Sequence, residues 1–371
     1  MPKIKLSFLH IILTIVITIT AVFLLSGCEG DKLADIPVLT GNEVQEDARA
    51  PEGGGGMAQG AAAEAGNDFI KAYTSAGYEG RTDGVGAFLA CGTNGRLDRI
   101  YEDNKVENIP NPASGRDLTQ VFAGPDATLV SGMSGIILYS YDGKEFHAGG
   151  GVGGADVSGV TFFKGRYFAS TLGGAVLESA DGKEWKISAE LADAAIISIA
   201  ASREHIMAIT TATDIFISED GNTWNCENFN VTYDGYYEKY VFTKIIGIDY
   251  ALYILGYCED NPGNPIIMFS DSGGEVWMFR TLAMINELPA EDFYPLEVYS
   301  LVVFDEELVA ICNNGKVLVM PSCFKCNEFT EPADMDFRDL AAGDGILLFV
   351  GDGYEYALLN AFDLQRIDNI D

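Results

Sequence analysis

From about residue 68 onward, apolar and polar residues alternate in short runs separated by glycine-bearing turns, the two-residue period of half-buried strands. Stacked on those turns, the chain repeats itself. "FLACGTNGRLDRIYEDNK" aligns with "TLVSGMSGIILYSYDGKEF", "YFASTLGGAVLESADGKEW" and "IMAITTATDIFISEDGNTW". Three looser copies follow: "LYILGYCEDNPGNPIIMFSDSGGEVW", "LVAICNNGKVLVMPSCFKCNEF" and "ILLFVGDGYEYALLNAFDLQRI". Gly95, Gly135, Gly174 and Thr213 lie 40, 39 and 39 residues apart. From Thr213 to Gly315 is 102, two units of about 51, and Gly353 follows 38 later. That makes seven units.

Ahead of each apolar pair stands one more strand, such as "DLTQVFAG", "VSGVTFF", "IISIAAS" or "DLAAGDG". Each unit thus supplies four strands, A to D, the content of one propeller blade. A single blade cannot bury both of its faces, whereas seven in a ring can. The pattern predicts an all-β chain whose residues 68–371 form a seven-bladed β-propeller of four-stranded antiparallel blades. A stacked β-solenoid is the other architecture such repeats build, but its repeats are usually shorter.

The first residues follow a different pattern. Lys3 and Lys5 precede an apolar run from Leu6 to Leu25, which ends in Leu25-Ser26-Gly27-Cys28. This resembles the bacterial lipobox, which implies a signal peptide over 1–27 and a lipid on Cys28. The run of about 20 apolar residues is also long enough for a plain transmembrane anchor. Both readings put the remainder outside the cytoplasm, at the cell membrane. Residues 28–67, with "EDARAPEGGGGMAQGAAAEAG", have no hydrophobic period and read as an acidic Gly/Ala-rich linker. Such a linker has a root-mean-square reach of about 30–35 Å.

Composition agrees with strands and turns: 42 glycines and 17 tyrosines in 371 residues, with 48% hydrophobic. The formal charge of −32 argues against nucleic acid as a partner, because phosphates need Lys and Arg. It also suits a soluble monomer, without identifying what that monomer binds.

One motif recurs between strands C and D. It reads Ser140-x-Asp142-Gly143-x-x-Phe146, Ser179-x-Asp181-Gly182-x-x-Trp185 and Ser218-x-Asp220-Gly221-x-x-Trp224. A longer copy runs from Ser270 through Ser272 and Gly274 to Trp277. Asp accepts hydrogen bonds from turn amides, Gly adopts positive φ, Ser ties the turn together and the aromatic buries area against the next sheet. The motif resembles the Asp-box, or BNR repeat, of sialidases and many other propellers. In that family the boxes lie on the face opposite the active site, which implies a structural role for them here.

The sixth unit has Cys323 and Cys326 in place of the turn residues, and Phe329 where the aromatic stands. Outside the cytoplasm this reads as a disulfide clipping the turn, or as two free thiols. No second cysteine pair follows, and the histidines are His10, His147 and His205, so no metal site and no cofactor is expected. Cys91, Cys226, Cys258 and Cys312 read as small buried residues.

The connections that join D to A, and B to C, share one face of a propeller. Three long ones cluster around unit five: "NFNVTYDGYYEKY" with Tyr233, Asp234, Tyr236 and Tyr237; "YCEDNPGNP" with Glu259, Asp260 and Asn261; and "AMINELPAEDFYPLE" with Glu291, Asp292, Phe293 and Tyr294. Aromatics and carboxylates on long loops above a rigid scaffold make a binding surface. The same tyrosines could instead pack the loops onto one another. The partner expected there is an envelope protein or a glycan.

A sialidase-like or other glycan-cleaving hydrolase is the alternative. By resemblance it implies three arginines gripping a carboxylate, a tyrosine nucleophile paired with a glutamate, and a further acid. Those enzymes have six blades and an Arg-Ile-Pro motif that this chain lacks. Arg96, Arg116 and Arg338 map near the candidate face. Arg116-Asp117-Leu118 and Arg338-Asp339-Leu340 read as equivalent strand starts, hence as a repeat feature. No Ser/His/Asp set stands out. The chain is also similar to Asp-box propellers that assist assembly of membrane protein complexes, such as the photosystem II stability and assembly factor family. That resemblance implies a non-catalytic, lipid-anchored binding or scaffold module.

Overall fold

The computed structural model describes residues 39–40 and 71–360, apart from 83–84, 228–231, 234–235, 238–239, 260, 273–276, 282–296, 306, 323–324 and 330–335. The described elements belong to one compact unit, Pro37–Ala361. They form seven four-stranded antiparallel sheets in sequence order, the seven-bladed propeller that the repeat predicts.

Blade 1 comprises Tyr73–Thr82, Val85–Gly92, Leu97–Tyr101 and Val106–Asn108. Blade 2 comprises Leu118–Ala123, Thr128–Gly132, Ile136–Ser140 and His147–Ala148. Blade 3 comprises Val157–Phe163, Arg166–Thr171, Ala175–Ser179 and Lys186–Glu190. Blade 4 comprises Ile196–Ala201, Ile206–Thr210, Ile215–Ser218 and Asn225–Glu227. Blade 5 comprises Tyr240–Ile248, Ala251–Cys258, Asn261–Ser270 and Met278–Thr281. Blade 6 comprises Val298–Phe304, Glu307–Cys312, Val317–Ser322 and Lys325–Phe329. Blade 7 has three strands from its own unit, Phe337–Gly343, Ile346–Gly351 and Tyr356–Asn360. Its fourth strand is Leu39–Thr40, with Leu39 opposite Leu358 and Thr40 opposite Ala357. Two residues of the stretch read as linker therefore pair into the ring.

Strands B and C are apolar on both faces because each is covered by a neighbouring blade. Leu89, Leu97, Val130 and Leu138 pack together between blades 1 and 2. Tyr167, Leu177, Leu129 and Ile137 do the same between blades 2 and 3. Strand D has one free edge, and in blade 3 it is mostly exposed. Cys91, Cys258 and Cys312 are buried as expected, but Cys226 is exposed, since it lies on the outermost strand of blade 4.

The glycine anchors of the repeat have a steric cause. Gly95, Gly135 and Gly174 turn strand B into strand C at φ of 75°, 68° and 83°. A Cβ there would lie 2.5, 2.0 and 2.0 Å from the carbonyl oxygens of Ala113, Gly153 and Ala192. The chain leaving each blade crosses directly over its own B–C turn, and only glycine leaves room.

The fifth unit departs from the reading of "YCEDNPGNP" as a loop. Those residues extend strands B and C, with Tyr257 opposite Pro265 and Cys258 opposite Asn261 across a bulge. The extra residues lengthen a hairpin. In blade 6, Ser322 pairs with Lys325 and brackets Cys323, which lies outside the described residues. The side chain of Cys326 does too, so the disulfide reading concerns residues beyond those described.

Candidate functional site: the channel and its surroundings

The innermost strands of all seven blades line a central cavity of about 330 Å³. Each of the seven carries a β-bulge near its start, at Tyr73/Ser75, Leu118/Gln120, Val157/Gly159, Ile196/Ser198, Phe242/Lys244, Val298/Ser300 and Phe337/Asp339. A bulge breaks the ladder and re-aims side chains, and bulges concentrate beside functional sites. Here they bring Ser75, Gln120, Gly159, Ser198, Lys244, Ser300 and Asp339 to equivalent places around the cavity wall.

At several of these bulges polar side chains reach the following blade. The residue before the lining position caps a carbonyl: Thr74 Oγ1 donates to Leu118 O at 2.6 Å, Thr119 Oγ1 to Val157 O at 2.9 Å, and Ser158 Oγ to Ile196 O at 2.6 Å. The lining residue itself caps an amide. Val121 N donates to Ser75 Oγ at 3.2 Å, Val160 N to Gln120 Oε1 at 2.6 Å and Ile245 N to Ser198 Oγ at 3.2 Å. Ala76 N donates to Asp339 Oδ2 at 3.3 Å, joining blade 7 to blade 1. The free inner edge of every strand A would otherwise leave backbone groups without partners. Gly159 breaks the series, having no side chain to offer, and so does Lys244, whose ammonium donates to Ser300 and Asp339 instead.

Lys244 is the one cation of this lining set. Its Nζ lies 2.8 Å from Ser300 Oγ and 3.1 Å from Asp339 Oδ1. Asp339 is the only carboxylate among the described residues lining the cavity, so the paired carboxylates that glycoside cleavage uses do not meet there. Behind the wall, burial pushes the Cys91 thiol up to about 12, leaving it a poor nucleophile.

The three arginines do not converge on a common ligand. Arg96 Nε is 2.5 Å from Asp98 Oδ2, with its guanidinium over the Tyr354 ring at 5.3 Å. Arg338 is bidentate to Asp352 at 2.8 and 3.0 Å. Arg116 is exposed. The register also corrects the alignment of Arg116 with Arg338. Arg338-Asp339-Leu340 matches Thr119-Gln120-Val121, three residues further on, because each strand starts from its bulge.

Of the loop residues read as a binding cluster, Tyr233 and Tyr236 pair across a two-residue connection, and Thr232 pairs with Tyr237. This hairpin stands between blades 4 and 5 in chain order. Glu259 is exposed at the tip of the blade 5 hairpin, and Asn261 begins its returning strand. Asp234, Asp260, Asp292, Phe293 and Tyr294 lie outside the described residues.

On the opposite face, the Ser-x-Asp-Gly turns are closed by their own side chains. Asp181 Oδ1 accepts from Ser179 Oγ at 3.1 Å and from the amides of Lys183 and Glu184 at 2.9 and 3.3 Å. Asp142 and Asp220 repeat this, and the turn amides hold both carboxyls down to about 2. At the fourth site Ser270 Oγ meets Ser272 Oγ at 3.1 Å, a hydroxyl in place of the carboxylate. The aromatic packs on the preceding blade and not the following one: Phe146 joins Leu89 of blade 1, Trp185 joins Leu129 of blade 2, and Trp224 packs beside Phe168 of blade 3. Each turn is also latched backward through a carbonyl. Arg99 of blade 1 donates to Gly143 O, Tyr141 of blade 2 to Asp181 O at 3.2 Å, and Arg166 of blade 3 to Asp220 O at 2.5 Å.

No protein-family model and no curated protein matches this sequence. Solved structures do share the fold. A structure described as YCF48 bound to D1 peptide is 14% identical, covers 78% of this chain and 94% of its own, and superposes with a TM-score of 0.59. YCF48 from Cyanidioschyzon merolae is 13% identical over 78% of this chain and 96% of its own, TM-score 0.56. Virginiamycin B lyase from Staphylococcus aureus is 12% identical over 79% and 96%, TM-score 0.61. At such identities the likeness is one of fold, shared by a peptide-bound protein and an enzyme alike.

Proposed function

We propose that this chain is a non-catalytic binding propeller of the Asp-box type, anchored through a lipid on Cys28 outside the cytoplasm. Its working face carries the B–C and D–A connections around blade 5. The observation that carries this reading is the asymmetry of the ring. The connection from blade 3 to blade 4 spans 191–195, whereas those flanking blade 5 span 228–239 and 282–297, the first with a hairpin of its own. Long aromatic-rich connections from adjacent blades, on a scaffold stitched by cross-blade hydrogen bonds, suit a protein partner held by a few aromatic anchors. YCF48 with its D1 peptide is a propeller of this fold that takes up a polypeptide segment. Support against a hydrolase comes from the channel, where the one described carboxylate is already paired with Lys244.

Two experiments test it. Metabolic labelling with a fatty-acid analogue should mark the native chain and not Cys28→Ala, and equal labelling of both refutes the anchor. Capture from the native envelope should yield a partner that a Tyr236→Ala, Tyr237→Ala, Tyr294→Ala variant of unchanged melting temperature no longer holds. Unchanged capture by that variant refutes the assignment of the face.

A further inference from the structure

A second cavity, of about 240 Å³, opens between blades 1 and 2 on the face of the Ser-x-Asp-Gly turns, away from the proposed working face. Its deepest acid is Glu79, at the outer end of the innermost strand of blade 1. Arg99 Nε donates to Glu79 Oε2 at 2.8 Å, and the two side chains are only 6% and 7% exposed. The same guanidinium reaches Gly143 O across the seam. Glu79 Oε1, by contrast, is buried with no hydrogen-bond partner. It faces Gly143, where an added Cβ would stand 3.1 Å away, and Gly143 belongs to the cavity wall. A buried carboxylate oxygen with no donor forfeits the hydration it had in the unfolded chain and gains nothing in return. Burial accordingly raises the Glu79 carboxyl above its ordinary range, opposed by Arg99.

The seam between blades 3 and 4 shows how the same chemistry is completed elsewhere in this molecule. There Glu178 Oε2 accepts from Arg166, which also latches the Asp220 turn. The second oxygen, Oε1, accepts from the Lys186 ammonium at 2.8 Å. In both seams an arginine binds a carboxylate and the next blade's turn. Between blades 3 and 4 a lysine of the chain fills the remaining oxygen. Between blades 1 and 2 a cavity stands in its place.

We infer that the blade 1–2 cavity is a binding site for a primary ammonium on an aliphatic stem, the head of a lysine side chain, with Glu79 Oε1 as its acceptor. The rest of the wall agrees. Asp126 and Asp142 add negative charge, Lys144 is the only cation besides the already paired Arg99, and Tyr141 lends an exposed aromatic ring. The Tyr141 hydroxyl is committed to Asp181 O, so the wall mainly accepts and the ligand must donate. A metal ion fits less well, since no three His, Cys, Asp or Glu side chains among the described residues converge to hold one.

The test uses the full chain after signal-peptide removal and follows the backbone amides of Asp126 and Gly143 by NMR at low ionic strength. Three probes are titrated: Nα-acetyl-lysine N-methylamide, its Nε-acetylated form, and n-butylammonium. Saturating shifts with the first, absent with the second, are expected. An equal response to n-butylammonium assigns the site to the amine alone, and a weaker one assigns it to a lysyl residue. Glu79→Gln should weaken binding about tenfold or more, the value of a hydrogen bond to a charged group. Should that variant fail to fold, Asp126→Asn, on the cavity rim, decides the matter with an expected two- to fivefold loss of about rim-charge size. No saturating shift with the lysine probe, equal shifts with its acetylated form, or unchanged affinity in both variants overturns the inference.

Discussion

The Lys244 ammonium in blade 5 stands 3.1 Å from Asp339 Oδ1 in blade 7 and 2.8 Å from Ser300 Oγ in blade 6, so one side chain spans three blades across the channel. Asp339 in turn accepts the amide of Ala76, one of the contacts that join the last blade to the first. Breaking a buried pair from one side costs about 3–5 kcal/mol, because the remaining charge is uncompensated. Lys244 is about a third exposed, which reduces the expected loss for Lys244→Met to about 1–3 kcal/mol. Asp339→Asn keeps an acceptor for Ala76 and removes the charge. Urea unfolding of both single variants and the double variant should show the double losing less than the sum of the singles. Additive losses would mean that the two groups do not interact.

The two box tryptophans separate hydrogen bonding from burial. Trp185 is 4% exposed and its Nε1 donates to Gly182 O at 2.9 Å. Trp224 sits at the equivalent place one blade on, but its buried Nε1 has no partner. Gly221 O, the matching acceptor, is taken by Ser188 Oγ at 3.2 Å. Trp185→Ala should therefore cost about 3–5 kcal/mol, as for a buried large aromatic. Trp185→Phe should cost about 1 kcal/mol for the lost bond. Trp224→Phe, which removes an unsatisfied donor, should be neutral or stabilising. Chemical denaturation of the two Phe variants is the check, and equal losses in both would contradict the assignment.

These turns were legible in the sequence because Ser, Asp, Gly and an aromatic must each be themselves to close them. The glycine anchors were legible for the same reason, since Gly135 admits no Cβ beside Gly153 O. The channel wall was not. Its seven triplets read Thr74-Ser75-Ala76, Thr119-Gln120-Val121, Ser158-Gly159-Val160, Ile197-Ser198-Ile199, Thr243-Lys244-Ile245, Tyr299-Ser300-Leu301 and Arg338-Asp339-Leu340, and no residue type is shared by all. What they have in common is a small or polar residue interrupting an apolar strand start, a signal visible once strand A of each unit is aligned on its bulge. The pairing of Glu79 with Arg99 was equally hidden. It joins strands A and C of one blade to the turn of the next, and nothing local in the sequence marks that meeting. Lengthened strands in unit five mimicked a loop because Asn261-Pro262-Gly263-Asn264-Pro265 carries turn chemistry inside a hairpin.

Acid should loosen the same turns. Asp142 and Asp220 are held to about 2 by the amides of their turns, against about 3.9 in an unfolded chain. Asp181 shifts in the same direction, chiefly through the Lys183 amide. A lowered folded-state value means stability that is fully present above about pH 4 and is lost as pH falls toward 2. Melting temperature measured from pH 5 to pH 2 should fall, and fall less steeply in an Asp142→Asn, Asp220→Asn double variant. That variant should also start lower at pH 5, because an amide oxygen is the weaker acceptor. Parallel profiles for the two proteins would assign the acid sensitivity to other carboxylates.

The last prediction concerns the strand that completes blade 7. Leu39 and Thr40 pair with Leu358 and Ala357, on the edge of a sheet that has only three strands from its own unit. An uncovered strand edge is a liability in any sheet, so this short segment closes the ring as well as the blade. It also changes the geometry of anchoring proposed above. Cys28 and Leu39 are 11 residues apart, which even fully extended reaches at most about 40 Å. Measured to the first strand of blade 1 at Tyr73, the same bound would be about 160 Å. The pairing would thus hold the propeller, and the blade 5 face with it, near the membrane instead of letting it range outward. Replacing both Leu39 and Thr40 by proline removes two backbone donors without altering the length of the chain. Melting temperature should drop by several degrees, and the separation of the lipidated protein from a supported bilayer, measured by neutron reflectometry, should increase. A variant that melts with the native protein and stands at the same height would show that residues 39–40 neither close the ring nor shorten the anchor.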